Sequence, residues 1–221
     1  MFFNIEGPEG SGKTSLIEEI KRYCSETDSL KDNVVFTKEP GNLKSEACQK
    51  IRKLILDPDL EDLDNETKMF LLFADRAEHV SKIVIPALKE GKIVISDRGF
   101  FSTISYQGFG EHNGDSSMLC FLESCNDIAS QSIIPDVVIL LKVSPEIGLN
   151  RTTKTEFNKS DSFESKDISF HDRVYKGYEY SYKTYSSQYI QFHVIDTNGK
   201  TVEEVNEEGI ICFKKYIKEF F

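Results

Sequence analysis

The chain has 221 residues, of which 39% are hydrophobic, 11% aromatic and 29% charged, with a formal net charge of −10. That composition excludes a disordered or collagen-like chain, and the acidic balance argues against nucleic-acid polymers or anionic membranes as partners. No apolar run approaches the roughly 18 residues of a membrane span, the five cysteines carry no CxxC pair, and the N-terminus lacks signal-peptide regions, so reduced, mostly buried thiols and a cytoplasmic location are expected.

The first predicted element is a strand over 1–5, "MFFNI". It runs into "GPEGSGKT" (7–14), which fits G-x-x-x-x-G-K-[ST] in full and precedes a helix-like run over 14–24. Strand, loop and helix in that order let the backbone N–H groups of a glycine-rich loop curl around phosphate oxygens, with the helix N-terminus adding positive charge. Gly7, Pro8, Glu9, Gly10, Ser11, Gly12, Lys13 and Thr14 are therefore candidate ATP-binding residues. Lys13 is expected to reach the β and γ phosphates, and Thr14 to offer its hydroxyl to Mg²⁺. Glu9 is the oddity, an acid within a loop suited to anions.

A second strand is predicted over 33–37, "NVVFT". A helix over 45–56 follows, with Ala47, Ile51, Leu54 and Ile55 on one stripe. A long helix over 64–90 carries Phe70, Phe73, Ala74, Ala77 and Val80 at helical spacing, and Pro86 should kink it or limit its last turns. The third strand, "KIVIS" (92–96), ends at Asp97. A carboxylate at the carboxyl end of a neighbouring strand lies where such sheets bind ligands, so Asp97 is a candidate to hold the metal or orient an acceptor. "DVVILLKV" (136–143) is the fourth strand, followed by Ser144 as N-cap and Pro145 at the first helical position. The polar stretch 152–167 reads as a surface loop or a lid. A helix over 170–189, a weaker strand over 192–196 and a helix over 202–220 complete the chain. The central strands are rich in Val and Ile without polar alternation, the pattern of strands buried on both faces. The expected fold is therefore α/β of the P-loop NTPase type. It would have a central parallel sheet of about five strands in one domain over 1–221, with a lid near 151–168.

The segments "IEGPEGSGKT" (5–14), "TKEPG" (37–41), "LLFADRAEHV" (71–80), "IPALKEGKIVISDR" (85–98), "STISYQG" (102–108), "PDVVILLKVSPEIGLNR" (135–151) and "FHDRVYKGY" (170–178) occur in this order. In this combination the chain resembles the bacterial thymidylate kinases over nearly its whole length. The glycine loop alone is unspecific, and the set together is specific. The resemblance implies transfer of the γ-phosphoryl group of ATP to dTMP, giving dTDP and ADP for dTTP synthesis, with Mg²⁺ and in a homodimer. It implies that Phe73 stacks on thymine, a contact of ~1–3 kcal/mol, and that Arg76 meets the base edge. It also implies that Arg98 and Arg52 grip the acceptor phosphate, that Thr103 and Gln107 contact the base, that Tyr106 lies beside the sugar, and that Ser102 belongs to the same substrate-binding set. Glu9 would accept a hydrogen bond from the 3′-hydroxyl and so point toward the second nucleotide.

Several positions depart from the family pattern. Gly10 stands where some relatives carry arginine, which shifts the expected transition-state cation to the lid. Arg151, Lys154, Lys159 and Lys166 are candidates there, with Arg151 favoured, so that Lys13, Asp97, Arg98 and Arg151 form the expected catalytic set. Lys38 replaces an arginine, Asn42 a glycine, Gly99 an aromatic, Lys142 an acid or amide, and Ser162 a lid arginine. These changes leave two other readings open, a kinase for another deoxynucleoside monophosphate and a non-catalytic nucleotide-binding module.

Overall fold

A computed structural model describes residues 1–57, 60, 63–152, 166–186 and 190–218. Five strands, β1 (Phe2–Glu6), β2 (Val34–Lys38), β3 (Ile93–Asp97), β4 (Val137–Lys142) and β5 (Gln191–Asp196), form one parallel sheet in the order β2-β3-β1-β4-β5. All five lie within a residue or so of their expected positions. β1 is central, with Ile5 paired to Asp97 on one side and Ile139 on the other. The chain therefore leaves β1 between two neighbouring strand ends, where ligands bind in open parallel sheets.

Burial on both faces explains the continuous apolar runs. Phe3, Ile5, Ile95, Ile139 and Leu141 pack against Leu16 and Ile20 of α1 (Lys13–Ser25) and Phe213 of α9 (Val202–Ile217). The alternate residues Phe2 and Val94 face Val80, Val84 and Ala87 of the long helix, while Leu140 and Val138 face Tyr178 and Phe101. Each strand thus presents an apolar side chain in both directions.

α2 (Glu46–Ile55) begins at Ser45, whose hydroxyl accepts from the Cys48 amide. The long helix is α3 (Asn65–His79), capped by Asp64, then a π-helical turn at Val80–Val84, then α4 (Ile85–Lys89). Pro86 sits in the first turn of α4, and the wide turn before it opens the hydrogen-bond ladder where proline has no N–H to give. α7 (Pro145–Thr152) starts as expected. α8 (Ile168–Tyr185) begins two residues early because Asp167 caps it by accepting from the Phe170 amide.

Two elements were absent from the sequence reading. α5 (Phe100–Thr103) continues as a π-helical stretch over Ile104–Glu111. α6 (Ser116–Ser130) follows, capped by Asp115 accepting from the Met118 amide. Leu119, Leu122 and Ala129 of α6 form a second core with Met69, Phe73 and Ile104. Most of the expected lid, with Lys154, Lys159 and Ser162, lies outside the described residues.

Candidate active site

The glycine loop joins β1 to α1 with Gly7, Gly10 and Gly12 all at positive φ. Gly10 shows why no side chain sits there. Its φ is +68°, and a Cβ would run into the carbonyl oxygen of Gly148 in α7. A loop arginine is sterically excluded, consistent with the glycine found in the sequence. The Lys13 ammonium donates to the carbonyls of Gly7 (2.7 Å) and Pro8 (2.8 Å) and to Ser11 Oγ (3.4 Å). Burial, with Arg98 nearby, lowers its pKa to about 8.

A cavity of about 420 Å³ opens beside this loop, bounded by Glu9, Lys13 and Thr14 on one side and by Asp97, Arg98, Ser102, Tyr106 and Gln107 on another. Its far wall is apolar, made by Ile55, Leu56 and Leu72, with Arg52, Asp75 and Arg76 at its edge. Arg98 has φ +68°, a left-handed conformation uncommon for a residue with a Cβ. The bonds from its amide to the Ile5 carbonyl (3.0 Å) and from Ser96 Oγ to its own carbonyl (2.8 Å) fix it there. Its guanidinium donates from Nη2 to Glu9 Oε1 (2.8 Å) and Tyr106 Oη (3.4 Å). From Nη1 it donates to the Gly7 carbonyl (3.2 Å), Ser102 Oγ (3.1 Å) and Tyr178 Oη (3.1 Å). Burial alone would push the Glu9 carboxyl up, but Arg98 and Lys13 more than offset it and hold it below the usual range. Tyr106 donates to the other Glu9 oxygen. Glu9 therefore faces the cavity rather than solvent.

At the far end, Arg76 is held rigidly. Its Nε donates to Glu39 Oε2 (2.8 Å) and its Nη2 to Thr103 Oγ1 (3.0 Å). His79, fully buried, bonds Glu39 Oε1 through Nδ1 (2.7 Å) and Thr37 Oγ1 through Nε2 (2.7 Å). Burial opposes ionisation of Glu39, yet Arg76 and His79 pull its pKa down to about 2. Asp75 beside them accepts from the Gly41 amide (2.9 Å), and burial raises its pKa to about 6. Arg52 reaches the cavity and donates to the Pro40 carbonyl (2.9 Å).

Asp97 and Thr14 line the same cavity, and Asp97 Oδ1 is buried with no hydrogen-bond partner among the described residues. A bare carboxylate oxygen beside a hydroxyl, next to a triphosphate loop, suits a hard divalent cation. No group of three His, Cys, Asp or Glu gathers among the described residues. A metal here would be held by Thr14, Asp97 and the nucleotide's own phosphates.

Two expected site residues lie away from this cavity, and the hydroxyl of a third turns from it. Phe73 does not line the cavity. It is 6% exposed and packs on Leu119 and Leu122 of α6, while Leu72, its neighbour, turns to the cavity. Leu72 is four residues before Arg76 and Phe73 three, so both spacings put a side chain near Arg76's face; the Arg76 guanidinium lies 5.6 Å from the centre of the Phe73 ring, which packs on α6. Arg151 is not at this cavity. Its guanidinium donates to the Gly10 carbonyl (3.1 Å), Thr197 Oγ1 (3.2 Å) and the Thr197 carbonyl (2.8 Å), bracing the glycine loop against the turn after β5. Ser102 touches the cavity, but its hydroxyl turns inward and donates to Glu6 Oε2 (2.6 Å).

A second cavity, about 210 Å³, lies beyond the loop between Ser15, Arg151, Lys200, Thr201, Val202, Val205 and Asn206. Asn206 Oδ1 is buried there with no partner among the described residues. Gly10, Ser11 and Gly12 of the glycine loop also line it, and the wall from α9 carries no motif of its own.

The departures from the family pattern have local explanations. A Cβ at Gly99 would collide with the side chain of Asn4 on β1. Lys142 donates to Glu179 Oε1 (2.7 Å) and lies over the Tyr175 ring, tying α8 to the sheet. Lys38 lines the first cavity, where burial and Arg52 lower its pKa.

The family model described as thymidylate kinase matches residues 5–208. Among curated proteins, the thymidylate kinase of Lactobacillus acidophilus is 35% identical over 207 residues, covering 94% of this chain and 92% of that one. The thymidylate kinase of Maridesulfovibrio salexigens is 42% identical over 183 residues, covering 80% of each. The crystal structure of thymidylate kinase from Ehrlichia chaffeensis superposes with a TM-score of 0.73 at 29% identity, covering 97% of this chain and 98% of that one.

Proposed function

The chain belongs to the thymidylate kinase family, and from that premise we propose how its residues carry ATP-dependent phosphorylation of dTMP to dTDP. The observation that carries the reading is the meeting of Lys13, Glu9 and Arg98 in one cavity that Ile55, Leu56 and Leu72 also line. A phosphate-binding loop and a nucleoside-sized cavity share that edge, which is the arrangement in-line transfer requires.

The donor triphosphate lies along residues 7–14, with its base in the second cavity near Asn206. Phosphate oxygens take the place of the loop acceptors now bonded to Lys13. The acceptor phosphate meets Arg98 and Arg52, and Glu9 accepts from the 3′-hydroxyl. The base rests on Leu72, Ile55 and Leu56, with its polar edge toward Arg76 and Gln107. An acceptor phosphate oxygen attacks the γ-phosphorus, the bond to the β–γ bridging oxygen breaks, and ADP leaves. A monophosphate is mostly ionised near neutral pH, with a second pKa of about 6, so no strong general base is needed. Thr14 and Asp97 would hold Mg²⁺, which when bound would supply neutralisation of phosphate charge.

The chain acts as one kinase domain in the cytoplasm, where its two nucleotides are found. A second copy covers the face of α3 and α6 on which Phe70 (55% exposed) and Phe121 (40% exposed) stack edge to face. The test is Lys13→Ala. The variant should stay folded and lose at least about a hundredfold in phosphoryl transfer. Near-native turnover would contradict the mechanism.

A further inference from the structure

Arg98 has an inner and an outer end. Nη2 points to Glu9 and Tyr106 at the cavity, while Nη1 points into the protein. Behind Nη1 lie three side chains from three different elements. Glu6, the last residue of β1, is fully buried. Ser102 of α5 donates its hydroxyl to Glu6 Oε2 at 2.6 Å and its amide to Oε1 at 3.4 Å. Tyr178 of α8 donates to the Gly7 carbonyl at 3.1 Å and sits 3.0 Å from Ser102 Oγ.

The hydrogens in this group are few enough to count. Ser102 has one hydroxyl hydrogen, and the short bond commits it to Glu6. Tyr178 has one, and the Gly7 carbonyl takes it. Both hydroxyl oxygens are then left as acceptors, and both face Nη1 of Arg98 at 3.1 Å, sharing its two hydrogens with the Gly7 carbonyl at 3.2 Å. When ionised, Glu6 fixes the direction of the whole chain of bonds, because a carboxylate only accepts. With a neutral side chain at position 6, Ser102 is free to donate to Tyr178 instead and compete with Nη1.

We propose that Glu6, Ser102 and Tyr178 are positioning residues for phosphoryl transfer. They orient two hydroxyl oxygens to clamp the inner nitrogen of Arg98, so that its outer nitrogen is presented to the acceptor phosphate. Tyr178 also joins α8, the helix that follows the lid region, to the glycine loop and to Arg98 at once. Burial raises the pKa of Glu6 to about 7 even though Ser102, Arg98 and Lys13 oppose it. The proposal rests on the reading above that Arg98 meets the acceptor phosphate.

The test is a double-mutant cycle on the full chain with dTMP and Mg²⁺-ATP. Tyr178→Phe and Glu6→Gln change little in volume. Each should raise KM for dTMP about tenfold, as for a hydrogen bond to a charged group, and leave KM for ATP within about twofold. In an Arg98→Ala background both effects should vanish. A merely structural role would lower thermal stability and leave the two KM values alike, and that result overturns the proposal. So does an effect of Tyr178→Phe that persists at full size without Arg98. If Tyr178→Phe does not fold, the Glu6→Gln arm decides alone. Arg98→Ala by itself tests the underlying reading, because an unchanged KM for dTMP in that variant removes Arg98 from the acceptor phosphate whatever the bracket does.

Discussion

Phe73→Leu separates a base platform from a core residue. A ring that stacks on the acceptor base contributes ~1–3 kcal/mol, so replacing it with an aliphatic side chain would raise KM for dTMP roughly 5- to 150-fold. In the structure the Phe73 ring is enclosed by Met69, Ile104, Leu119 and Leu122, and Leu72 occupies the cavity wall. The change should then be felt as core repacking loss of about 1 kcal/mol. For a chain of this size that shifts Tm by roughly 2–4 °C, with KM for dTMP within about twofold. Leu72→Ala should do the reverse. Losing about half of a leucine's buried apolar surface against the base costs ~1 kcal/mol, or roughly fivefold in KM for dTMP, with little change in Tm because Leu72 is only half-buried. Steady-state kinetics with varied dTMP and a thermal melt on each variant make the comparison. A tenfold or greater rise in KM for Phe73→Leu at unchanged Tm, with Leu72→Ala silent, would refute the reasoning.

Glu39 predicts an acid limb of stability. Its folded pKa, about 2, is below the ordinary carboxylate value of 4.5, so its contribution is present above pH ~4.5 and is lost as pH falls toward ~2, amounting to ~3 kcal/mol. Urea midpoints measured against pH should show this limb flattened in Glu39→Gln, and an identical limb in both proteins would contradict the role of Arg76 and His79. Arg151→Ala should raise KM for ATP several-fold, because the guanidinium braces the glycine loop and lines the second cavity. A loss confined to kcat, with both KM values unchanged, would return Arg151 to the transferred phosphate.

The sheet was legible because strands buried on both faces leave an unmistakable run of Val and Ile. The glycine loop was legible because its spacing is the chemistry itself. Asp97 and Arg98 could be placed at a strand end from sequence, and the cavity forms around them. The placement of Phe73 has a physical cause. α6 begins after three glycines in seven positions (108–114) and is rich in Ser and Cys, so its helical pattern was weak. Without α6 there was no partner for Phe73, and the ring looked free to face a ligand. Ser102 lines the cavity as expected, but the inward turn of its hydroxyl and the position of Arg151 were hidden for a different reason. Their partners, Glu6 and Thr197, are 96 and 46 residues away in sequence, and no local pattern reports such contacts.

The most direct measurement is ADP release with Mg²⁺-ATP against dTMP, dUMP, dCMP, dGMP and AMP in parallel. Turnover should be strongest with dTMP, the acceptor of the family to which the chain belongs. Faster turnover with another monophosphate would keep the phosphate chemistry and overturn the acceptor assignment. ATP binding without turnover of any acceptor would contradict the account of this chain as an active kinase.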